Sequence, residues 1–342
     1  MEKNKILVTG GLGYIGSHTT LALQAAGYEV VIVDNLSNSQ ADMLDRIAAI
    51  SGQKPEFFPF DLCEEAALDQ FFAGQPNLGG IIHFAAFKAV GESVAQPLKY
   101  YKNNLLSLML LLEMMQKYTV PHLVFSSSCT VYGEPESLPV TEAAPVQKAT
   151  SPYGNTKQIS EEIIQDTLKA QPALQAIALR YFNPVGAHES GQIGELPLGV
   201  PNNLMPFITQ TAIGLRSELK VFGHDYDTPD GTCIRDYIHV MDLAEAHVIA
   251  LQRLLEKKNQ ANYEFFNLGT GQGSTVLEVI ASFERTSGQK LHYQLTERRP
   301  GDVVKIYADT ALANEVLGWK ARRNLDEMTR SAWQWEQNYR GQ

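Results

Sequence analysis

Apolar residues recur along this chain with two alternating periods. Short runs rich in β-branched and aromatic residues, at 6–9, 29–34, 56–60, 80–84, 123–127 and 176–181, read as buried strands. Between them, apolar positions recur every three to four residues over 15–26, 64–72, 103–117 and 153–169, the spacing of helices with one buried face. Strands that alternate with helices predict a parallel, doubly wound α/β sheet with a ligand crevice at the strands' carboxyl ends. The texture changes at Asn183. Gly, Pro and Asn become dense over 188–203 and 223–231, as in loops that line a site. A helix-then-strand pattern returns over 236–268, and the final helical stretch carries Trp333, Trp335 and Tyr339. The expected organisation is one domain over 1–182, rejoined by 236–268, interleaved with a smaller α/β lobe over 183–342.

Composition narrows the function classes. With 44% apolar and 19% charged residues in 342, the chain can bury a sizeable core. A net charge of −10 without clustered basic residues argues against nucleic-acid and anionic-membrane partners. An acidic protein that binds an anion must still concentrate positive charge locally, so individual arginines become informative. Cys63, Cys129 and Cys233 form no Cys-x-x-Cys pair and no Cys/His ligand spacing, which implies a reducing compartment and no metal site. The opening stretch passes directly into a strand and a glycine turn. It has no signal-like apolar region, no later run is long enough to span a bilayer, and a cytoplasmic location is expected.

The chemistry starts at Thr9-Gly10-Gly11-Leu12-Gly13-Tyr14-Ile15-Gly16, between the first strand and the first helix. Glycines there permit a tight turn, close backbone approach to a pyrophosphate and close helix–strand packing, while the helix N-terminus offers N–H groups to phosphate. Asp34, ending the second strand, is placed to accept from adenosine ribose hydroxyls. Its charge would repel a 2′-phosphate, which favours NAD over NADP. Asp61, after the third strand, either accepts from the adenine amino group or caps the next helix.

Tyr153 and Lys157 form a Tyr-x-x-x-Lys pair, and on a helix such residues share a face with β-carbons about 5–6 Å apart. A tyrosine acting as a base near neutral pH needs roughly 4 kcal/mol of phenolate stabilisation. A cation about 5 Å away supplies about 3 kcal/mol of it, and an oxidised nicotinamide ring can supply the rest. Ser126-Ser127-Ser128 ends the fifth strand. A hydroxyl there can relay a proton to a reacting hydroxyl, the role expected of Ser128, whereas Ser127 reads as turn chemistry. Arg235 and Arg299 stand in loop-like contexts and offer either bidentate clamps for a pyrophosphate or surface salt bridges.

The stretches TGGLGYIGSHT, VDNLSNS, IHFAAFKAVGES, FSSSCTVYGEP, SPYGNTK, LRYFNPVGAH, GVPNNLMPFI and CIRDYIHVMDLAEAH resemble the UDP-galactose (UDP-glucose) 4-epimerases, a family of extended short-chain dehydrogenase/reductases, over nearly the whole chain. The resemblance implies a Rossmann-type fold with a smaller substrate-binding lobe, and Ser128, Tyr153 and Lys157 as the catalytic trio. It places NAD against Gly10, Gly13, Tyr14, Ile15, Gly16, Asp34, Asn35, Asn38, Ser39, Asp61, Leu62, Phe84, Ala85, Ala86, Lys88, Asn103, Ser126, Tyr153, Lys157 and Phe182. It places the UDP-sugar against Ser128, Tyr153, Asn183, Asn202, Asn203, Leu204, Phe222, Arg235, Arg299 and Asp302. It further implies inversion at sugar carbon 4 by reversible oxidation, with NAD retained and no net redox, and a homodimer built on two helices, over 95–117 and 153–169.

The chain departs from the family's pattern at Cys129, where Ala is expected, and at Ile306. Position 306 lines the sugar pocket in the family, where Tyr restricts it to glucose and galactose and Cys or Ser admits a 2-acetamido group. Ile306 falls between these, so UDP-glucose and UDP-galactose are expected as the preferred pair, with weak activity on the N-acetylated pair. Two rival readings are weaker. A 4,6-dehydratase of this type carries Thr-Asp-Glu where this chain has Ser127-Ser128-Cys129, and elimination then lacks its acid and base. A non-catalytic, NAD-sensing regulator on the same scaffold has no need of Ser128, Tyr153 and Lys157 together.

Overall fold

The computed structural model describes residues 5–299 and 303–341. In chain order the elements are β1 (Lys5–Thr9), α1 (Tyr14–Ala25), β2 (Glu29–Val33), α2 (Met43–Ser51), β3 (Glu56–Phe58), α3 (Glu65–Ala73), β4 (Leu78–His83), α4 (Val90–Ala95), α5 (Pro97–Lys117), β5 (His122–Ser128), α6 (Pro152–Ala170), β6 (Gln175–Tyr181) and β7 (Asn183–Val185). They continue with α7 (Leu204–Ala212), β8 (Leu219–Phe222), β9 (Ile234–His239), α8 (Val240–Leu255), β10 (Tyr263–Leu268), β11 (Gly273–Thr275), α9 (Val276–Ser287), β12 (Tyr293–Thr296), β13 (Lys305–Ile306) and α10 (Leu325–Arg340).

Seven strands form one parallel sheet in the order β10-β6-β5-β4-β1-β2-β3. The chain turns to opposite sides after β1 and β4, so the crevice of this Rossmann-type sheet opens between their carboxyl ends. Successive residues of a strand face opposite sides, and each side has its own core. Ile6, Val8, Val124, Ile177 and Leu179 pack beneath α1 and α8 with Leu243 and Leu251. Leu7, Ile81, Leu123, Phe125 and Ala178 pack beneath α3, α5 and α6 with Phe71, Leu111 and Ile164. Each large side chain fully buried there contributes about 1.5–3 kcal/mol.

The remaining elements build a smaller unit beside the strands' carboxyl ends. β7, β11 and β13 pair with β9, β12 pairs with β8, and α7, α9 and α10 close a core around Phe283, Met328 and Trp333. Both α9 and α10 start with a capping box, Thr275 with Glu278 and Asn324 with Glu327. Among the described residues, no helix is long and apolar enough to cross a membrane.

Three helices, α2, α4 and α7, lie outside the sequence expectation. α4 is six residues long and buries only Ser93, too little apolar pattern to detect, whereas α2 buries Met43, Leu44 and Ile47 at helical spacing, and α7 follows the Gly- and Pro-rich stretch that reads as loop. α5 begins at Pro97, ahead of the expected 103. Proline suits the first helical turn, and that stretch is anchored by the buried Tyr100 among polar neighbours.

Candidate active site

The glycine turn is a cradle that β-carbons would fill. Gly10 has φ +66°, and a Cβ there would lie 2.9 Å from the Ala85 backbone nitrogen at the end of β4. At Gly16 a Cβ would lie 2.2 Å from the Gly10 carbonyl oxygen. Gly13 caps α1 with no side chain over the helix end and no acidic residue in the first turn, so the N–H groups of Tyr14, Ile15 and Gly16 present positive partial charge to the crevice. The Tyr14 ring turns elsewhere, its hydroxyl donating to the Gly186 carbonyl at 2.6 Å.

Asp34 closes the cradle from β2. Its carboxylate accepts from the Leu12 N–H at 3.1 Å, the Leu36 N–H at 2.9 Å and the Ser39 hydroxyl at 2.8 Å, so it is locked to the glycine loop itself. Asp61 does not cap α3. Glu64 occupies the cap position, and the Asp61 carboxylate accepts from the Cys63 N–H at 2.8 Å and the Asn35 amide at 2.9 Å. Asn38 stands exposed on the loop after β2, and Leu62 is buried in the core beneath α3 and α5. Ala86 and the half-buried Phe84 follow β4, with the Phe84 ring 4.7 Å from His247. Asn103, on α5, donates to Asn104, which is buried and ties α5 to Phe87 and Thr156. Open N–H groups beside a fixed carboxylate, under glycines that leave no room for side chains, fit an adenine dinucleotide.

The serine triplet divides by strand alternation. Ser126 and Ser128 continue the face of Val124, and the Ser126 hydroxyl pairs with Tyr181. Ser127 continues the opposite face and donates to Glu161 at 2.5 Å, so it belongs to a buried strand and not to a turn. Ser128 caps the short 3-10 turn Cys129–Tyr132 and accepts from the Thr130 N–H at 3.2 Å.

Helix α6 starts at Pro152 because Ser151 caps it, accepting from the Gly154 N–H at 3.1 Å. That start sets Tyr153 in the first turn, beside the Ser128 side chain, with Lys157 one turn on. Burial pushes the Tyr153 phenol up to about 12, and the neighbouring Ser128 hydroxyl acts against it. Burial pushes Lys157 down to about 8, opposed by Glu161. The ammonium donates to the Ser126 carbonyl at 2.5 Å and lies 4.8 Å from the centre of the Phe125 ring. Cys129 is a buried neutral thiol, pushed up to about 12 by burial.

The other wall comes from the smaller unit. Arg235 lies in β9, not in a loop, and faces Ile306 of β13 across the ladder. Ile306 is buried with Cys129, Phe182, Tyr132 and Val140, which puts it against the segment that follows Ser128. Asn183 opens β7, Asn202 is exposed, Asn203 precedes α7 without its side chain capping the helix, and Leu204 is the helix's first residue. The Arg299 guanidinium lies 5.7 Å from the Phe222 ring at the end of β8. Asp302 lies outside the described residues. Lys88, beyond β4, reaches across to Glu195 at 3.2 Å, and Glu195 also accepts from Asn203 at 2.6 Å. No His, Cys, Asp or Glu cluster suited to a metal ion occurs among the described residues. Sequence reasoning missed Glu161, Arg180, Asn104 and Glu195. Only Glu161 left a local signal, since it continues the Tyr153–Lys157 face of α6 by one more turn.

Comparison with known proteins agrees with this geometry. A family model described as GDP-mannose 4,6 dehydratase matches residues 7–332. The UDP-glucose 4-epimerase of Bacillus subtilis is 52% identical over 331 residues, covering 97% of this chain and 96% of that protein. The chain belongs to the extended short-chain dehydrogenase/reductases, among the UDP-glucose 4-epimerases. The structure of the Bifidobacterium longum UDP-glucose 4-epimerase, in complex with NAD⁺ and UDP, is 46% identical with a TM-score of 0.94 and covers 98% of this chain and 99% of its own. The Stenotrophomonas maltophila enzyme, with NAD and a formylated UDP-arabinopyranose, gives 46% identity, a TM-score of 0.95 and the same coverage. This is an NAD-dependent family of isomerases. The dehydratase label of the matching family model does not carry over to the chemistry here, since the tip of β5 offers Ser127, Ser128 and Cys129 where elimination needs carboxyl groups.

Proposed function

We propose that this epimerase interconverts UDP-galactose and UDP-glucose at sugar carbon 4, with Tyr153 as acid–base, Ser128 as the hydroxyl relaying its proton and Lys157 as the stabilising cation. The observation that carries the assignment is that the carboxyl end of β5 and the first turns of α6 bring Ser128, Tyr153 and Lys157 together, with β4 between β5 and the glycine loop of β1. When bound, NAD supplies the hydride acceptor for carbon 4 and a ring cation near the phenol. Tyr153 takes the proton of the 4-hydroxyl through Ser128 and returns it to the 4-oxygen once the keto sugar has presented its other face. Bringing a phenol from about 12 to neutrality demands roughly 7 kcal/mol. A cation about 5 Å from a phenol is worth about 3 kcal/mol, so Lys157 and the nicotinamide ring act together and the base forms only in the loaded site. Arg235 and Arg299 suit the diphosphate, and Asn183, Asn203 and Phe222 the nucleotide. Holding the UDP end firmly leaves the sugar free to present either face, which is remote binding energy directed at the reacting carbon. The test is incubation of purified protein with UDP-galactose and no added NAD. Appearance of UDP-glucose supports the reading, and its absence from NAD-loaded protein overturns it.

Ile306 suggests a finer specificity. Its side chain is buried against Cys129 and Phe182, with β-branching that stiffens it. This supports a pocket that prefers glucose and galactose over their 2-acetamido counterparts while still turning the latter over weakly. A homodimer through α5 and α6 belongs to the same proposal. These helices pack together, and Leu98 and Met109 of α5 are exposed apolar residues. A clean monomer by light scattering at micromolar concentration counts against it. The three cysteines are unpaired, in keeping with a cytoplasmic setting.

A further inference from the structure

Behind the reacting groups lies an ion pair that the proposed chemistry does not use. Arg180 of β6 grips Glu161 of α6 with two hydrogen bonds, Nε to Oε1 at 2.9 Å and Nη2 to Oε2 at 2.5 Å. Both side chains are only 5% exposed. Glu161 Oε1 also accepts from the Ser127 hydroxyl at 2.5 Å, and Arg180 Nη1 donates to the Tyr132 hydroxyl at 3.0 Å. Tyr132 passes the chain on to the Asn267 side-chain carbonyl at 2.7 Å, and the Asn267 amide donates to the Val140 carbonyl at 2.9 Å.

A buried pair of this kind is a poor source of stability, because desolvating two charges offsets most of their attraction and apolar replacements of similar volume often fold as well or better. What the pair does supply is geometry. A bidentate guanidinium–carboxylate contact fixes distance and orientation together. Here it joins the segments on both sides of Ser128, through Ser127 before it and Tyr132 after it, to the helix that carries Tyr153. Glu161 stands one turn beyond Lys157 and two beyond Tyr153, so anchoring it sets the rotation of α6 about its axis. Ser127 faces away from Ser128, so tethering it fixes which way the Ser128 hydroxyl points.

We infer that the buried Glu161–Arg180 pair, with Ser127 and Tyr132, is a positioning device that holds the Ser128 hydroxyl at the Tyr153 phenol. It touches neither hydroxyl. The inference rests on the assignment of Ser128 and Tyr153 as the proton-transferring pair. It is tested in the NAD-loaded protein with Ser127→Ala/Glu161→Leu/Arg180→Met, which removes the tether and both charges of the pair together. The expected result is a folded variant with wild-type NAD content and a UDP-galactose KM within about twofold of wild type. Its kcat is lowered by about 10²-fold, the usual consequence of misplacing reacting groups by about 1 Å. Should the triple variant not fold, Ser127→Ala alone cuts one tether without exposing a charge, and its kcat is expected to fall several-fold at constant KM. Wild-type kcat in either folded variant, or a loss that appears in KM instead, overturns the inference. Wild-type protein that carries NAD yet leaves UDP-galactose unchanged refutes the functional reading, and this inference with it. An active wild type beside unaffected variants refutes the positioning role alone.

Discussion

Replacing Gly16 by alanine separates backbone geometry from helix propensity. In an unobstructed helix the change gains about 0.5–1 kcal/mol, since glycine loses the most freedom on folding. Here the new Cβ would stand 2.2 Å from the Gly10 carbonyl oxygen and 2.8 Å from the Gly11 Cα. Ordinary contact begins near 3.4 Å, so helix and loop must part by roughly 1.2 Å. Both obstructing atoms are backbone and have no rotamer with which to yield. The loop cannot retreat freely either. The Gly10 N–H donates to the Val33 carbonyl at 2.8 Å, and the Gly10 carbonyl accepts from the Gly13 N–H at 3.1 Å. A displacement of that size at a positioned phosphate seat costs about 10²-fold, close to 3 kcal/mol of cofactor affinity. The assay is nucleotide released on denaturing the purified protein, with thermal unfolding alongside. Wild type should release NAD and no NADP, and Gly16→Ala should release little of either. Gly91→Ala is the control, because Gly91 lies in α4 with nothing within 4 Å of the added carbon, and it should keep full NAD content. Full NAD content and an unchanged unfolding temperature in Gly16→Ala would refute the packing argument.

Tyr153→Phe should lower turnover by at least about 10²–10³-fold while NAD stays bound, measured by sugar interconversion and released nucleotide. Ile306→Ser should raise activity on the N-acetylated pair relative to UDP-galactose, and Ile306→Tyr should abolish it. A steric contrast of this kind is worth about 1–3 kcal/mol, and an unchanged ratio in all variants means that Ile306 does not line the pocket. Activity should persist in excess chelator, and a loss restored by magnesium would contradict the use of arginines and amides on the diphosphate. Stability should fall on acidification below pH 6.5. Burial depresses His18, His83 and His239 to about 3 and His247 to about 4, so the unfolded chain binds their protons first. Each costs about 1.4 kcal/mol per pH unit until its folded value is reached, and burial-raised Glu142 and Asp236 offset part of it. An equal urea midpoint at pH 7 and pH 5.5 would refute this.

The features legible in the sequence are those whose physics is local. Strand and helix periods are set by neighbours a few residues apart, so the parallel sheet and its crevice could be read from apolar spacing. The glycine turn, Asp34 at the end of β2 and the Tyr153–Lys157 face lie each within a few residues of the element that positions them. Tertiary structure decided what depends on pairing across the chain. Strand alternation and the register of β5 against β6 separate three adjacent serines, sending Ser127 to Arg180's side of the sheet and Ser126 and Ser128 to the other. The Glu161–Arg180 pair exists only because α6 folds back over β6. Ile306 reaches the segment after Ser128 through β13, a strand of two residues with no periodicity to detect, held by its pairing with β9. Burial likewise adds an electrostatic effect that the spacing does not show. Lys157 lies one turn from Tyr153, yet desolvation in the assembled site raises the phenol and lowers the ammonium, an effect that no spacing along the chain encodes.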